Sequence, residues 1–236
     1  MQILKIYAKI SLFLMPSNSY KIASEFSAQR MSHPPNPSLP ISLNALCELG
    51  AILPFKSAAD LGCGKLRHYK PLSSISQKLF LVDTEEQLQK IHVDGKRKYT
   101  IAQFAEDKSK HNRQIIPLSF YSFSSMSLNI ETIFCIAVFD VVLRKIRKSI
   151  ISSAASNLRK GGFFVLIIPR NDASITDRCN GYNKYQDGHL FFHHGLYTFF
   201  KNYDSYSTII NDCKGAGLNL MMDVSNYRQV CLIFSI

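Results

Sequence analysis

The sequence lacks several features that would assign it to a specialised class of protein. It has six cysteines but no Cys-x-x-Cys pair, which argues against a zinc module or a disulfide framework and is compatible with a reducing, cytoplasmic location. Its N-terminal apolar run, Ile10–Met15, is too short to span a bilayer. There is no internal repeat, and hydrophobic residues make up 46% of the chain, which argues against disorder. The expectation is therefore a globular domain.

Acidic residues are scarce relative to basic ones. The chain has 17 Asp and Glu against 28 Lys and Arg, a formal net charge of +11, which favours a polyanionic partner. Four cations crowd the first turns of a predicted helix, where the helix dipole disfavours each by about 0.3–1 kcal/mol: Arg144, Lys145, Arg147 and Lys148. Two interpretations stay open, namely contact with an anionic substrate such as a nucleic acid, and ordinary projection of these side chains into water.

The 236 residues match the upper size of one α/β domain. Residues 1–40 are interpreted as an N-terminal extension and a proline-rich linker, because four prolines lie between Ser32 and Pro40. Residues 41–236 are predicted to form a single domain. Its first element is a predicted helix over Ile41–Leu53, where apolar residues recur at helical spacing.

A glycine loop at Asp60-Leu-Gly-Cys-Gly64 is the most informative motif. A short apolar stretch leads into Asp60, and the two glycines allow a sharp turn and a close approach of the backbone to a ligand. An amphipathic segment follows, so the pattern predicts the strand, turn and helix of a nucleotide-binding unit.

A second acid strengthens this interpretation. Leu79–Val82 is apolar and ends at Asp83, roughly 20 residues beyond the loop, where an acid accepts hydrogen bonds from ribose hydroxyls in nucleotide-binding sheets. The alternative is that Asp83 only caps the helix beginning at Thr84.

With these motifs, the chain resembles the class I S-adenosylmethionine-dependent methyltransferases from the glycine loop to its C-terminal end. The segments that carry the resemblance are Asp60–Gly64, Leu81–Asp83, Phe139–Val142 and Leu158–Ile168. It implies an α/β, Rossmann-like sheet of seven strands in the order 3-2-1-4-5-7-6, with the last strand antiparallel and helices on both faces. One departure from the family pattern is Leu66, which stands where a third glycine is common.

The resemblance also implies S-adenosylmethionine as the cofactor and a set of residues that contact it: Asp60, Gly62, Cys63, Gly64, Arg67, Asp83, Thr84 and Ser119. Arg67 would pair with the methionine carboxylate, with Lys65 as an alternative. Ser119 or Ser122 would lie beside the adenine, where an acid is frequent in the family.

The sequence fixes no catalytic residue. The Asp-Pro-Pro-Tyr type of motif and the Pro-Cys nucleophile of nucleic-acid methyltransferases are absent. Candidates for a general base at the carboxyl edge of the sheet are Asp140, Asp172, Tyr182, Asp187 and His189. No metal site is expected, because adjacent side chains such as those of His193 and His194 do not share one face of a strand or helix.

The remaining elements follow from apolar patterns. Further strands are predicted over 57–61, 114–120, 132–139 and 163–168, a helix over 146–158 that ends at Gly161 and Gly162, and a final helix and hairpin over 203–234. The leading hypothesis is a methyltransferase acting on a nucleic acid or another anionic acceptor. The alternatives are a small-molecule methyltransferase, a methyltransferase-like binding protein without catalysis, and a dinucleotide-dependent oxidoreductase.

Overall fold

A seven-stranded sheet forms the centre of the computed structural model, which describes residues 55–94, 97–109, 114–169, 184–193, 196–201, 203, 205–225 and 229–236. Its strand order is β11-β12-β7-β6-β1-β2-β5. The bounds are β1 Phe55–Leu61, β2 Ser76–Asp83, β5 Gln114–Ser119, β6 Ile130–Ile136, β7 Leu158–Pro169, β11 Asn219–Asp223 and β12 Gln229–Ser235.

The sheet is parallel except for one strand. β1 pairs in parallel with β2 and β6, β2 pairs in parallel with β5, and β6 pairs in parallel with β7. β12 runs antiparallel to both of its neighbours, β7 and β11. This is the order 3-2-1-4-5-7-6 with an antiparallel last strand, so the predicted fold is confirmed.

The central strands are buried because helices cover both faces of the sheet. All seven residues of β6 are buried, as a continuous apolar run requires. Alternate residues of β7 belong to two separate core clusters, Phe164 and Leu166 to one and Val165 and Ile167 to the other. The helices are α1 Tyr69–Ser74, α2 Glu85–Gln89, α3 Ile101–Ser109, α4 Phe120–Ser124, α5 Arg144–Asn157 and α6 Ser207–Gly215.

Helix α5 ends earlier than its pattern predicts. Its last residue is Asn157, and Leu158 already pairs with Ile130 as the start of β7. Gly161 has a left-handed φ of 71°, but it lies in an irregular stretch of β7 and does not cap the helix. A Cβ on Gly162 would lie 2.8 Å from the carbonyl oxygen of Glu131, so close strand packing explains this glycine. The predicted helix end was wrong.

Two regions hold elements that the sequence patterns do not reveal. The polar stretch after α2 forms a hairpin, β3 His92–Asp94 and β4 Arg97–Tyr99, followed by α3. A second sheet, β10-β9-β8, consists of β8 Lys184–Tyr185, β9 Gly188–His193 and β10 Leu196–Phe200. The predicted helix over 41–53 and the division at residue 40 lie outside the described residues and stay predictions.

No helix in the described part of the chain is both long and apolar enough to cross a bilayer.

Candidate functional site

The glycine loop leaves the carboxyl end of β1 in a conformation that requires glycine. Gly62 has a φ of 88°, and a Cβ added to it would lie 2.5 Å from Cγ2 of Val138, in the turn after β6. The backbone N–H groups of Gly62 and Cys63 both donate to the carbonyl oxygen of Val82, at 2.8 and 3.2 Å. The loop is therefore fixed between β2 and the turn after β6.

Leu66, which stands where a third glycine is common, has a left-handed backbone conformation. Gly64 has a φ of 53° and Leu66 a φ of 61°, both in the left-handed region. This conformation is costly for a leucine, by roughly 1–2 kcal/mol. The half-buried side chain packs against the core cluster that contains Leu72 and Leu81, which offsets part of that cost.

Asp83 fastens the loop to the end of β2. One carboxylate oxygen, Oδ2, accepts the N–H of Gly64 at 2.8 Å, and the other, Oδ1, accepts the N–H of Thr84 at 2.8 Å. Burial raises the pKa of Asp83 to about 6, while the hydrogen bonds from Gly64, Thr84 and the Cys63 side chain oppose that rise. These three hydrogen bonds leave about one of the roughly four lone-pair sites of the carboxylate for a ribose hydroxyl.

Helix α2 supports the same loop from the other side. The Thr84 hydroxyl accepts the N–H of Gln87 at 3.2 Å, which caps the helix. The Gln87 side chain then donates from Nε2 to the carbonyl oxygen of Gly64 at 3.0 Å. Thr84, and not Asp83, is therefore the cap residue of α2, and the ribose contact of Asp83 stays a prediction. Gln87 was not among the predicted residues, and its position three residues after a capping threonine is the signal that marks it.

Asp60 is buried beneath the loop and incompletely hydrogen-bonded. It is 1% exposed, and within the described residues its Oδ2 atom has no hydrogen-bond partner. Burial, and next the nearby charge of Asp83, raise the pKa of Asp60 to about 7. A buried carboxylate oxygen without a donor favours a cationic or N–H-bearing ligand.

The remaining residues predicted to contact the cofactor lie on the glycine loop and at the end of β5. Lys65 and Arg67 are exposed on the loop. Ser119 is next to Asp83 in the β2–β5 register, at the start of α4. Its hydroxyl accepts the N–H of Ser122 at 3.1 Å and donates to the Ser122 hydroxyl, so both adenine candidates contact each other. Asp60, Gly62, Gly64, Asp83 and Ser119 therefore share one edge of the sheet.

Asp140 lies on the opposite side of the loop, in the turn that follows β6. It is completely buried, and neither carboxylate oxygen has a hydrogen-bond partner among the described residues. The backbone is held in place because the Lys201 N–H donates to the Asp140 carbonyl oxygen at 2.7 Å. Burial raises the pKa of Asp140 to about 7, against the opposing effects of its own backbone N–H and, after that, of the Arg147 charge.

Arg147 connects α5 to the small sheet. Its Nη1 atom donates to the carbonyl oxygens of Val142 at 2.8 Å and Phe139 at 3.3 Å, and its Nη2 atom pairs with the Asp187 carboxylate. Lys201 donates from Nζ to the Asp187 carbonyl oxygen at 2.7 Å. The β8–β9 turn is thereby docked over the turn after β6.

The other predicted bases differ in their surroundings. Asp187 pairs with Arg147 and Lys201, which disfavours its acting as a free base. His189, on β9, has a buried Nδ1 atom without a hydrogen-bond partner in the described structure. Asp172 and Tyr182 lie outside the described residues. No group of three potential metal ligands was found in the described part of the chain.

The four cations of α5 do not form a single surface patch. Arg147 is 4% exposed and engaged internally, so its expected place on a substrate-facing surface was wrong. Arg144 and Lys148 lie 3.8 and 3.6 Å from the Asp212 carboxylate on α6. Lys145 is exposed. Internal pairing thus explains most of the positive charge at this helix start.

Comparisons with known proteins agree with the fold. No protein-family model matches the chain, and no curated protein matches it in sequence. Among solved structures, magnesium protoporphyrin IX methyltransferase from Synechocystis, with bound S-adenosylhomocysteine, is 12% identical with a TM-score of 0.57 and covers 90% of this chain and 94% of its own.

Two further structures are similar over most of their length. An S-adenosylmethionine-dependent methyltransferase from Clostridium acetobutylicum is 13% identical, with a TM-score of 0.54, and the match covers 100% of this chain and 98% of that one. The 1,6-didemethyltoxoflavin-N1-methyltransferase from Burkholderia thailandensis is 10% identical, with a TM-score of 0.52 and coverage of 83% and 76%. The resemblance to class I methyltransferases is confirmed at the level of the fold.

Proposed function

We propose that this chain is an S-adenosylmethionine-dependent methyltransferase. The observation that carries the proposal is the glycine loop, left-handed at Gly62, Gly64 and Leu66 and fastened to Asp83 at the carboxyl edge of a methyltransferase-type sheet. Ligands of open α/β sheets bind at this edge. The solved structures of similar fold include methyltransferases with bound S-adenosylhomocysteine, which supports the same cofactor class.

The residues at the loop fit the parts of this cofactor. Asp83 would accept hydrogen bonds from the ribose hydroxyls, and the unpartnered oxygen of Asp60 would accept one from the ammonium of the methionine moiety. Arg67 would pair with the carboxylate of the methionine moiety, and Ser119 would lie beside the adenine. The cofactor supplies a methyl group already activated on a sulfonium, so the protein contributes alignment and exclusion of water.

Calorimetric titration tests the cofactor assignment. S-adenosylmethionine, S-adenosylhomocysteine and NAD would be titrated into the wild type and into Asp83→Ala, with Glu86→Ala as an exposed control on the adjacent helix. The proposal predicts binding of both adenosyl ligands but not of NAD, lost in Asp83→Ala and retained in the control. Binding of NAD alone would favour the oxidoreductase alternative.

For the acceptor we propose a nucleic acid or another anion, supported by the net charge of +11. Exposed cations include Lys65 and Arg67 on the loop and Arg144, Lys145 and Lys148 on α5, of which Arg144 and Lys148 pair with Asp212. Transfer of a labelled methyl group to tRNA, rRNA or DNA, weakened steeply by added salt, is the expected result. Salt-independent transfer would contradict an anionic acceptor.

A small-molecule acceptor is the second candidate, and the structure around Asp140 favours it. The small sheet of β8, β9 and β10 is docked over the turn after β6. In that turn, the two carboxylate oxygens of Asp140 have no hydrogen-bond partner from the other described residues. Two proteins of similar fold are named for small-molecule substrates, magnesium protoporphyrin IX and 1,6-didemethyltoxoflavin. Labelled transfer to a small-molecule extract but not to nucleic acids would decide for this candidate. Cofactor binding without any turnover would instead favour a binding protein that has lost catalysis.

We also propose a cytoplasmic location. The described cysteines Cys63, Cys135 and Cys213 are buried and form no disulfide, which agrees with a reducing compartment.

A further inference from the structure

The glycine loop contains a four-residue turn from Cys63 to Leu66. The Leu66 N–H donates to the Cys63 carbonyl oxygen at 2.9 Å, so Gly64 and Lys65 are the two central residues of the turn. Gly64 has a φ of 53°, and Leu66, directly after the central pair, has a φ of 61°. A leucine rarely adopts such a conformation unless its surroundings enforce it. Neighbouring groups must therefore hold the loop in this form.

The peptide between Gly64 and Lys65 is the central peptide of this turn. The common types of β-turn differ mainly by a rotation of the central peptide, and glycine at the first central position has access to several of them. The central C=O and N–H groups can therefore point in more than one direction, unless a hydrogen bond selects one.

Gln87 supplies that hydrogen bond. Its Nε2 atom donates to the Gly64 carbonyl oxygen at 3.0 Å, and its own N–H donates to the Thr84 hydroxyl at 3.2 Å, which fixes its backbone at the start of α2. The preceding peptide is held from β2, because Asp83 Oδ2 accepts the Gly64 N–H at 2.8 Å. Both peptides that flank the Gly64 Cα atom are thus bound by buried side chains.

The orientation that Gln87 selects also determines where the Lys65 N–H points. In a trans peptide, the N–H and C=O groups point in opposite directions. Since the Gly64 carbonyl oxygen is directed at Gln87, the Lys65 N–H is directed away from α2. It donates to no other group in the described part of the chain. This backbone donor is therefore available to an acceptor atom on a ligand.

We propose that Gln87 is a positioning residue for the adenosyl ligand, because it holds the Gly64–Lys65 peptide in the orientation that offers the Lys65 N–H to that ligand. This role rests on the proposed function, since the ligand is S-adenosylmethionine or S-adenosylhomocysteine. Gln87 acts through Gly64 and needs no contact with the ligand. When the peptide rotates, the donor is withdrawn, and the apparent affinity falls with the fraction of molecules that keep the competent loop.

Amide hydrogen exchange in the wild type tests the role of the backbone donor. The exchange of the Lys65 N–H is measured by NMR in the free protein and in the presence of saturating S-adenosylhomocysteine. Bound ligand is expected to slow this exchange by at least about fivefold, because the N–H gains an acceptor. Exchange at an unchanged rate in the complex would overturn the proposal, and this measurement needs no variant.

Variants of two glutamines on the same helix assign the effect to Gln87. Gln87→Met keeps an unbranched side chain but removes the donor, so the folded protein should bind S-adenosylhomocysteine about three- to tenfold more weakly by calorimetry. Gln89→Met is the matched control, since Gln89 is exposed and donates to the Glu85 carboxylate instead of the loop. Its affinity should equal that of the wild type.

Urea unfolding of the same variants separates positioning from stability. If the hydrogen bond of Gln87 were merely structural, Gln87→Met would lower the free energy of unfolding and leave the affinity of the folded protein unchanged. An affinity within about twofold of the wild type would therefore overturn the proposal.

The two proposals fail in different ways. If the folded wild type, monitored by circular dichroism, binds neither adenosyl ligand, the proposed function fails, and the role of Gln87 fails with it. If the wild type binds both and Gln87→Met binds them equally well, only the role of Gln87 is overturned.

Discussion

Asp83 and Asp140 are both buried acids at the carboxyl edge of the sheet, but their oxygens have different partners. Asp83 accepts one backbone N–H on each oxygen, from Gly64 and Thr84. Neither oxygen of Asp140 has a partner in the described structure. Asp83 therefore fastens the glycine loop to the end of β2, on what we call the β1–β2 side. The oxygens of Asp140, in the turn after β6, on the β6 side, have no comparable partner. Burial alone does not tell a structural acid from a functional one.

The largest effect is expected at Arg147, which organises the β6 side. Arg147→Ala should destabilise the protein by about 3–5 kcal/mol, because it leaves the Val142 carbonyl oxygen without its donor and removes from Asp187 the closer of its two cations. Arg144→Ala, at the exposed pair with Asp212, should cost about 0–1 kcal/mol. Urea unfolding of both variants measures the contrast. Similar losses would mean that Arg147 is no more than a surface cation.

The next largest effect is expected at Asp83, on the β1–β2 side. Asp83→Ala should reduce the free energy of unfolding by about 2–4 kcal/mol, because it leaves the N–H groups of Gly64 and Thr84 without acceptors at about 1–3 kcal/mol each. The exposed Glu86→Ala variant should differ little from the wild type. Urea unfolding measures both. An Asp83→Ala variant as stable as the wild type would show that the loop does not depend on this carboxylate.

Asp140 should instead destabilise the folded protein as pH rises. Its pKa is raised to about 7 in the folded state, so the folded state binds more protons than the unfolded state between about pH 4 and pH 7, and stability falls across that range. Asp140→Asn should match the wild type near about pH 3 and exceed it near pH 8, by on the order of 1–4 kcal/mol. Thermal unfolding at both pH values is the measurement. An Asn variant less stable than the wild type at high pH would mean that the ionised carboxylate has a partner.

The smallest effect is expected at Leu66, where two variants separate the cost of the backbone conformation from the contribution of the side chain. A glycine normally destabilises relative to alanine by about 0.5–1 kcal/mol, but alanine at this left-handed position carries the steric cost that glycine avoids. Leu66→Gly should therefore be more stable than Leu66→Ala, by about 1 kcal/mol. Chemical unfolding of the two variants tests the order. The usual order, with alanine more stable, would show that the loop relaxes out of this conformation.

The β1–β2 side could be predicted from the sequence because its signals are local. Asp60, the two glycines and Asp83 lie at the ends of consecutive apolar strands, and the topology of an α/β sheet brings strand ends together. The strand order was implied by the resemblance to the class I methyltransferases. What the sequence did not show was that Asp83 accepts the Gly64 N–H, since spacing does not specify hydrogen bonds.

The β6 side could not be predicted because its contacts are long-range. Arg147 and Asp187 are 40 residues apart, and Tyr203 reaches back 64 residues to Phe139. A pattern of cations at a helix start contains no information about such partners, so Arg147 was assigned to the surface. Gly161 illustrates a smaller error. Its residue type correctly predicts a left-handed backbone, but it does not reveal that this residue lies within β7 instead of at the end of α5.

The most direct test of the cofactor site is the affinity of S-adenosylmethionine for the wild type and for Asp60→Asn. Asp60 has an unpartnered buried oxygen, and the proposed site uses its charge for the ligand ammonium. The account predicts that the wild type binds and that the folded Asn variant binds at least about tenfold more weakly. Equal affinity in the two proteins, or no binding to the folded wild type, would contradict it.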